Sequence, residues 1–466
     1  MVSNLACFLS RWCAIGLLWL GSAAVVAGAA APNIVFIFAD DLGWGDISLH
    51  GHPDIRTPNI DRLATEGAEF RQFVVSNPVC SPSRTAVMTG QYPARNSVHR
   101  HFADVTHQQR FSMPDWLNPD ALTIPDVLKK AGYKTGHFGK WHLTNSHVRD
   151  APAPTEYGFD ESFAFNGPGP QTDAFGLYDH AVDFIRRHRD QPFFVNLWIH
   201  ETHTPHYPEA ESLEKYAHLG EQEQTYAAIV DAADRRIGKV LDVLDELGLA
   251  ENTLVVFASD NGPEVTGPAT RKLNAPDPDA KVEGITGLGT WYSVGTTAGL
   301  RGRKRDVYEG GIRVPFLVRW PAQAPAGRVD TASIVAAVDL LPTFAAAAGA
   351  ELPPDFQGDG QNILPLLRGL PMERAKPMYW EWRYGLGRGG EPEPPSLLAV
   401  REGRWKLLYD RSRGVKELYN VATDRNESRD VSADYAEIVE DLSAKALAWK
   451  QTLPTAPPEH CISSYR

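Results

Sequence analysis

Asn33-Ile34-Val35-Phe36-Ile37-Phe38-Ala39 is an apolar run after its first residue, and it stops abruptly at Asp40-Asp41-Leu42-Gly43. It is too short for an ordinary helix. Its lack of alternation suits a strand buried on both faces of a parallel sheet. Three more segments read as strands that run into polar residues. Tyr133 to His137 leads into Gly139-Lys140-Trp141-His142, Phe193 to Ile199 into Glu201-Thr202-His203-Thr204-Pro205, and Thr253 to Ala258 into Ser259-Asp260-Asn261-Gly262-Pro263. Helical patterns lie between them. Thr57-Pro58 is a cap followed by proline at the first position, with Gly67 as the stop; Thr123-Ile124-Pro125 starts a second helix that ends before Gly132. Tyr226, Ile229, Val230, Ala233, Ile237, Leu241 and Leu244 recur at helical spacing in a long amphipathic helix. Strands alternating with helices predict an α/β fold, a large mostly parallel mixed sheet flanked by helices. Ligands of such sheets collect at the carboxyl ends of the strands. Asp40, Asp41, Lys140, His142, His203, Asp260 and Asn261 are therefore predicted to converge.

The chain has 466 residues, 43% hydrophobic and 22% charged, with a formal charge of −12. That length suits one large α/β domain with a smaller one attached. The expected catalytic domain is 31–350. The smaller C-terminal α+β subdomain, 351–466, is entered through Pro-rich text around 352–378, with a short antiparallel sheet from Trp405 to Asn420 and a last helix from Tyr435. Arg11, the apolar stretch Ala14 to Leu20 and the small residues through Ala27-Gly28-Ala29 read as a secretory signal peptide over residues 1–30. A secreted or periplasmic location is expected, with no stable membrane span. The negative balance disfavours nucleic acid as a partner, so an anionic substrate needs a local cluster of positive charge. Cys7 and Cys13 leave with the signal, and the remaining Cys80 and Cys461 could pair in an exported protein. A Gly-, Pro- and Thr-rich stretch over 262–300, carrying Trp291 and Tyr292, is expected to shape the substrate cleft.

Asp40, Asp41, Asp260 and Asn261 offer only oxygen ligands, which suits a hard cation such as Ca²⁺ or Mg²⁺. Each pair taken alone is more often a turn or a cap than a ligand site, but two such pairs at the ends of two buried strands reverse that. Lys140 and His142 alternate, so in an extended loop both point the same way. His200, His203 and His206 would make a metal-binding face on a helix, but Pro205 and Pro208 argue against one. The basic run Arg301, Arg303, Lys304, Arg305 is either a solvated face or the missing positive cluster.

Cys80-Ser81-Pro82-Ser83-Arg84, after Ser76-Asn77-Pro78 and before Thr85-Ala86-Val87-Met88-Thr89-Gly90, resembles the signature of the type I sulfatases. The resemblance extends over roughly residues 32 to 320. It implies an alkaline-phosphatase-like fold and conversion of Cys80 to formylglycine by a maturation enzyme. It also implies one Ca²⁺ held by Asp40, Asp41, Asp260 and Asn261 together with the group made from Cys80. Arg84, on a helix expected to begin near Ser83, would steady the aldehyde hydrate. Lys140 and His142 would contact the sulfate and the hydrate hydroxyl, Lys304 would bind sulfate, and His203 of the His-x-Pro pattern would protonate the leaving alcohol, with His206 the lesser fit. Thr144 and Arg305 stand where the family usually has glycine. The implied substrate is a sulfate ester, most readily of a sulfated carbohydrate. Phosphate- or phosphonate-ester hydrolysis on a similar fold is the alternative, although no second complete metal set is evident. A sulfated-glycan binding protein without turnover is the non-enzymatic one.

Overall fold

Every residue of β1 (Asn33–Ala39) is buried, as its unbroken apolar character requires. In the computed structural model, which describes residues 31–166, 176–266, 293–384 and 396–466, this strand occupies the middle of an eight-stranded sheet. The expected signal peptide, and most of the stretch over 262–300 with Trp291 and Tyr292, lie outside the described residues. The other strands are β2 (Ala68–Val74), β3 (Lys134–Lys140), β4 (Glu161–Phe165), β5 (Phe193–Trp198), β6 (Thr253–Ser259), β7 (Phe316–Arg319) and β8 (Arg328–Ala336). Their order is β4-β3-β5-β1-β6-β7-β2-β8. β7 alone runs antiparallel to its neighbours, so the sheet is mixed but mostly parallel. The four segments read as polar-ended strands become the adjacent set β3-β5-β1-β6, all parallel, which brings their carboxyl ends together.

Alternate side chains of β1 feed two cores. Ile34, Phe36 and Phe38 join Phe70, Phe194 and Phe344 on one face, while Val35 and Ile37 meet Ile237 and Leu241 of the long helix Glu221–Glu246 on the other. β3 runs to Lys140 instead of ending at His137, with Gly136 and Gly139 lying inside the strand. Gly139 is needed there: its φ is +115°, and a Cβ on it would stand 2.0 Å from the carbonyl oxygen of Trp198.

A second, antiparallel sheet follows, formed by β9 (Met378–Arg383), β10 (Ser396–Glu402), β11 (Trp405–Asp410) and β12 (Val415–Asn420), in the order β12-β11-β10-β9. Its Trp380 indole donates to the Val75 carbonyl at 2.8 Å, beside the signature loop. Lys406 of β11 is completely buried and bridges Glu309 at 3.0 Å and Glu427 at 2.8 Å. Arg301 belongs to the same joint, donating to the Tyr419 hydroxyl and the Glu427 carbonyl.

Several histidines are buried within this scaffold. His99, 3.1 Å from Glu381, is pushed down to about 4 by burial and by Arg383. Its folded value lies below the unfolded one, so its stabilising contribution is complete above about pH 6.5 and is lost as pH falls toward 4. His99→Gln should therefore flatten the acid limb of stability, recovering up to about 2 kcal/mol relative to wild type between pH 7.5 and pH 4.5. Denaturant midpoints across that range measure it, and an unchanged slope would refute the assignment.

Candidate active site

The helix Cys80–Thr89 starts at the cysteine itself, three residues before the expected Ser83, and all ten of its residues are buried. Two side-chain bonds hold its first turn. Ser83 Oγ donates to the Asn77 carbonyl at 2.7 Å, and Ser81 Oγ accepts the Phe102 N–H at 2.9 Å. With the helix beginning at residue 80, Arg84 lies one turn on, on the same face. Its guanidinium donates to Asp260 Oδ2 from Nη2 at 2.7 Å and from Nε at 3.1 Å, donates to the Lys140 carbonyl, and lies 4.9 Å from the Trp198 ring centre.

The strand ends meet around that helix. Lys140 Nζ donates to Asp40 Oδ2 at 2.6 Å, and His200 Nδ1 contacts the same oxygen. Lys304 Nζ reaches Asp41 Oδ2 at 2.6 Å, and Asn261 Nδ2 donates to Asp41 Oδ1 at 2.7 Å. His203 Nε2 stands 3.7 Å from Asp41 Oδ2, and its Nδ1 lies 2.6 Å from the Thr204 carbonyl oxygen. Cys80 with Asp40 and Asp260 can bring three ligand atoms within 4.8 Å of one another. Cys80 and Cys461 are both free, and Cys461 packs in a separate cluster with Trp116 and Val148, so among the described residues no disulfide competes for the thiol.

Three buried carboxylates thus face three buried cations, and the balance is local. Burial pushes Asp40 up, but Lys140, His203 and His200 hold it well below the usual range. Burial and the nearby Asp40 drive Asp260 up to about 7 against the pull of Arg84. Burial likewise raises Asp41 and the Cys80 thiol. Burial and Lys140 keep His142 and His203 well below the normal imidazole range. Asp40 Oδ1 and Asn261 Oδ1 are buried without a hydrogen-bond partner. Unpartnered oxygens beside crowded carboxylates fit a hard cation, which Asp40, Asp41, Asp260 and Asn261 could hold.

Above them is a cavity of about 360 Å³ lined by Cys80, Lys140, His142, His203 and Lys304. One expectation needs correction. His142 has φ +50°, so it does not reach the cavity through an extended loop alternating with Lys140; the backbone turns left-handed and the ring bonds the Phe102 carbonyl at 2.8 Å. Asp40, His200 and His203 also form a group of three potential ligands, which shares Asp40 with the first. His206 is buried against Tyr226, 3.3 Å from the Thr202 carbonyl, and does not line the cavity. Of the basic run, Arg301 joins the second sheet, Lys304 enters the site and Arg305 lies at the cavity. His101, Asn145, His147 and Glu264 also line it. They come from loops, and no local pattern singled them out.

The sequence pattern of the sulfatase family matches residues 32–350, and that of the C-terminal region of N-sulphoglucosamine sulphohydrolase matches 302–452. Human N-acetylgalactosamine-6-sulfatase is 33% identical over 74% of this chain and 67% of its own length. Human arylsulfatase A is 31% identical over 84% of this chain and 77% of its own. Among solved structures, Ps i-CgsB superposes with a TM-score of 0.75 at 28% identity, covering 91% of this chain and 94% of that one. The chain belongs to the sulfatase family, and its chemistry is the hydrolysis of sulfuric esters.

Proposed function

We propose that the protein is an exported sulfatase that cleaves sulfate esters of carbohydrates, using a formylglycine made from Cys80 and one Ca²⁺. The observation that carries this reading is the meeting of Cys80, Asp40 and Asp260 at ligand distances, ringed by Arg84, Lys140 and Lys304. The hydrated aldehyde would supply one hydroxyl to attack sulfur and a second to expel sulfate, which a plain thiol cannot do. A Ca²⁺ on Asp40, Asp41, Asp260 and Asn261 would act as a Lewis acid on a sulfate oxygen. With the carboxylates so engaged, Lys140 and Lys304 would be left as uncompensated charge to grip the anion. Arg84, pinned by Asp260 and Trp198, fixes position 80 from the next helical turn. His203 is set to protonate the leaving oxygen, and the charge of a bound sulfate would favour the imidazolium it must form. A sugar substrate is supported by the relative named for N-acetylgalactosamine 6-sulfate and by Ps i-CgsB, which has been solved with k-i-k-neocarrahexaose. Export is supported by the segment over residues 1–30.

Protein made beside a maturation enzyme should yield a residue-80 peptide about 18 Da lighter than the cysteine form, reactive toward an aldehyde probe. It should also cleave an aryl sulfate faster than the matching aryl phosphate. The reverse preference would favour the phosphonate-type reading, for which the Asp40, His200, His203 group and the shared fold of a phosphonate monoester hydrolase speak. A chain with neither label nor turnover would be a glycan binder. His203→Ala should slow alkyl or sugar sulfates by about 10²- to 10⁴-fold and aryl sulfates much less, because a phenol leaves without help. Equal losses on both substrates would remove His203 as the proton donor.

A further inference from the structure

Arg305 has φ +79°, the left-handed region that suits glycine and strains a residue with a Cβ. Its backbone task needs no side chain. Arg305 N donates to the Pro78 carbonyl at 2.9 Å, tying the basic segment to the signature loop, and a glycine would make the same bond. Local strain persists where the surroundings hold it in place, and it clusters at functional sites. The reason for arginine must lie in its side chain, which lines the catalytic cavity and is 51% exposed.

The guanidinium is oriented but only half used. Nη1 lies 2.9 Å and 2.7 Å from the two oxygens of Glu264, while neither Nε nor Nη2 hydrogen-bonds any described residue. Nε and Nη2 form one edge of a planar fork, the edge that takes a carboxylate or a sulfate through two parallel bonds. Glu264 fixes the plane of that fork and lies 3.8 Å from Lys304 as well. The other carboxylate lining the cavity, Asp104, is occupied as a helix cap, accepting the His107 N–H at 2.8 Å. Consecutive residues therefore divide the work by depth. Lys304 sends a buried ammonium to the reacting centre, and Arg305 holds an open fork at its edge.

We propose that Arg305 forms a second anion subsite in this cavity, selecting substrates that carry another oxyanion, a carboxylate or a further sulfate, besides the ester to be cut. The proposal rests on the sulfatase reading above. Equilibrium binding in a Cys80→Ala background, where turnover plays no part, tests it by calorimetry with three ligands: a monosulfated neutral sugar, the same sugar with a second sulfate, and a monosulfated disaccharide containing a uronic acid. At least one doubly anionic ligand should bind about tenfold tighter than the monosulfated sugar, and which one identifies the oxyanion. Arg305→Gly should erase that advantage, and so should Arg305→Asn, whose side chain also tolerates positive φ. The melting temperature of the glycine variant should be no lower than the parent's, since its backbone is relieved. Equal binding of all three ligands overturns the subsite, as does an advantage that survives Arg305→Gly or a uniform loss of all binding. The reading beneath it is judged separately, by turnover: matured wild-type protein that cleaves no sulfate ester overturns the sulfatase reading, whatever the binding shows.

Discussion

Replacing Cys80 by alanine should abolish sulfate-ester turnover, by about six orders of magnitude, while the fold stays intact. The size of the loss follows from what the other groups can do alone. Arg84, Lys140, Lys304 and His203 can hold and polarise a sulfate, but none places a nucleophile on sulfur. The mildness of the structural effect follows from position. Residue 80 opens a helix, where alanine is at least as favourable as cysteine, and the thiol of the unmatured chain that it replaces is neutral, with a pKa raised by burial. The missing sulfur leaves a gap of one atom, worth about 1 kcal/mol. Turnover of an aryl sulfate and a denaturant curve, measured on the same preparation, check both halves. Residual activity above a hundredth of wild type would contradict the assignment of the nucleophile to this position.

Lys406→Met should cost about 3–5 kcal/mol of stability, far more than a surface charge would. The lysine sits fully buried between Glu309 and Glu427, and removing it leaves two carboxylates facing each other without water. Arg313 and Lys406 together hold Glu309 well below its usual value against burial, whereas burial and Glu309 push Glu427 up. Glu427 is therefore the carboxylate that must take a proton or unfold the joint. Adding Glu427→Gln to Lys406→Met should recover more than half of the loss, because only one buried charge then remains to be matched by Arg313. Equilibrium unfolding of wild type, the single and the double variant measures the coupling. A single-variant loss under about 1 kcal/mol would show that apolar contacts alone join the two sheets.

The strand ends were legible because a fully buried parallel strand is apolar throughout and its functional residues begin where that character stops. Asp40, Asp41, His203, Asp260 and Asn261 sit at or just past such breaks, Lys140 closes the glycine-containing β3, and the structure gathers them. β2 and β8 were not legible, since Arg71, Gln72 and the half-exposed residues of β8 dilute their pattern. The cavity wall was less legible still. His101, Asn145, His147 and Glu264 owe their place to long-range packing of loops, and only coordinates can show that. His142 was found for the right reason, its neighbourhood, but by the wrong path. Its positive φ is a local turn that alternation in the sequence cannot reveal. Arg305 was visible as a departure from the family pattern, yet its significance appears only once its backbone conformation and its single partner are known.

The placement of β1 has a consequence for how the chain comes to exist. Its two neighbours are β5 and β6, whose first contacts with Asn33 come from residues 160 and 220 positions further on. During synthesis this apolar strand is thus made first and waits some 160 residues for its first partner, and closing such long loops is entropically slow. For that interval a bare Ile-Val-Phe-Ile-Phe edge is open to pairing with other copies. Asp40 and Asp41, which follow it directly, carry in the nascent chain the like charge that keeps such segments apart. The same two carboxylates that are costly to bury in the finished protein guard it while it is still being built.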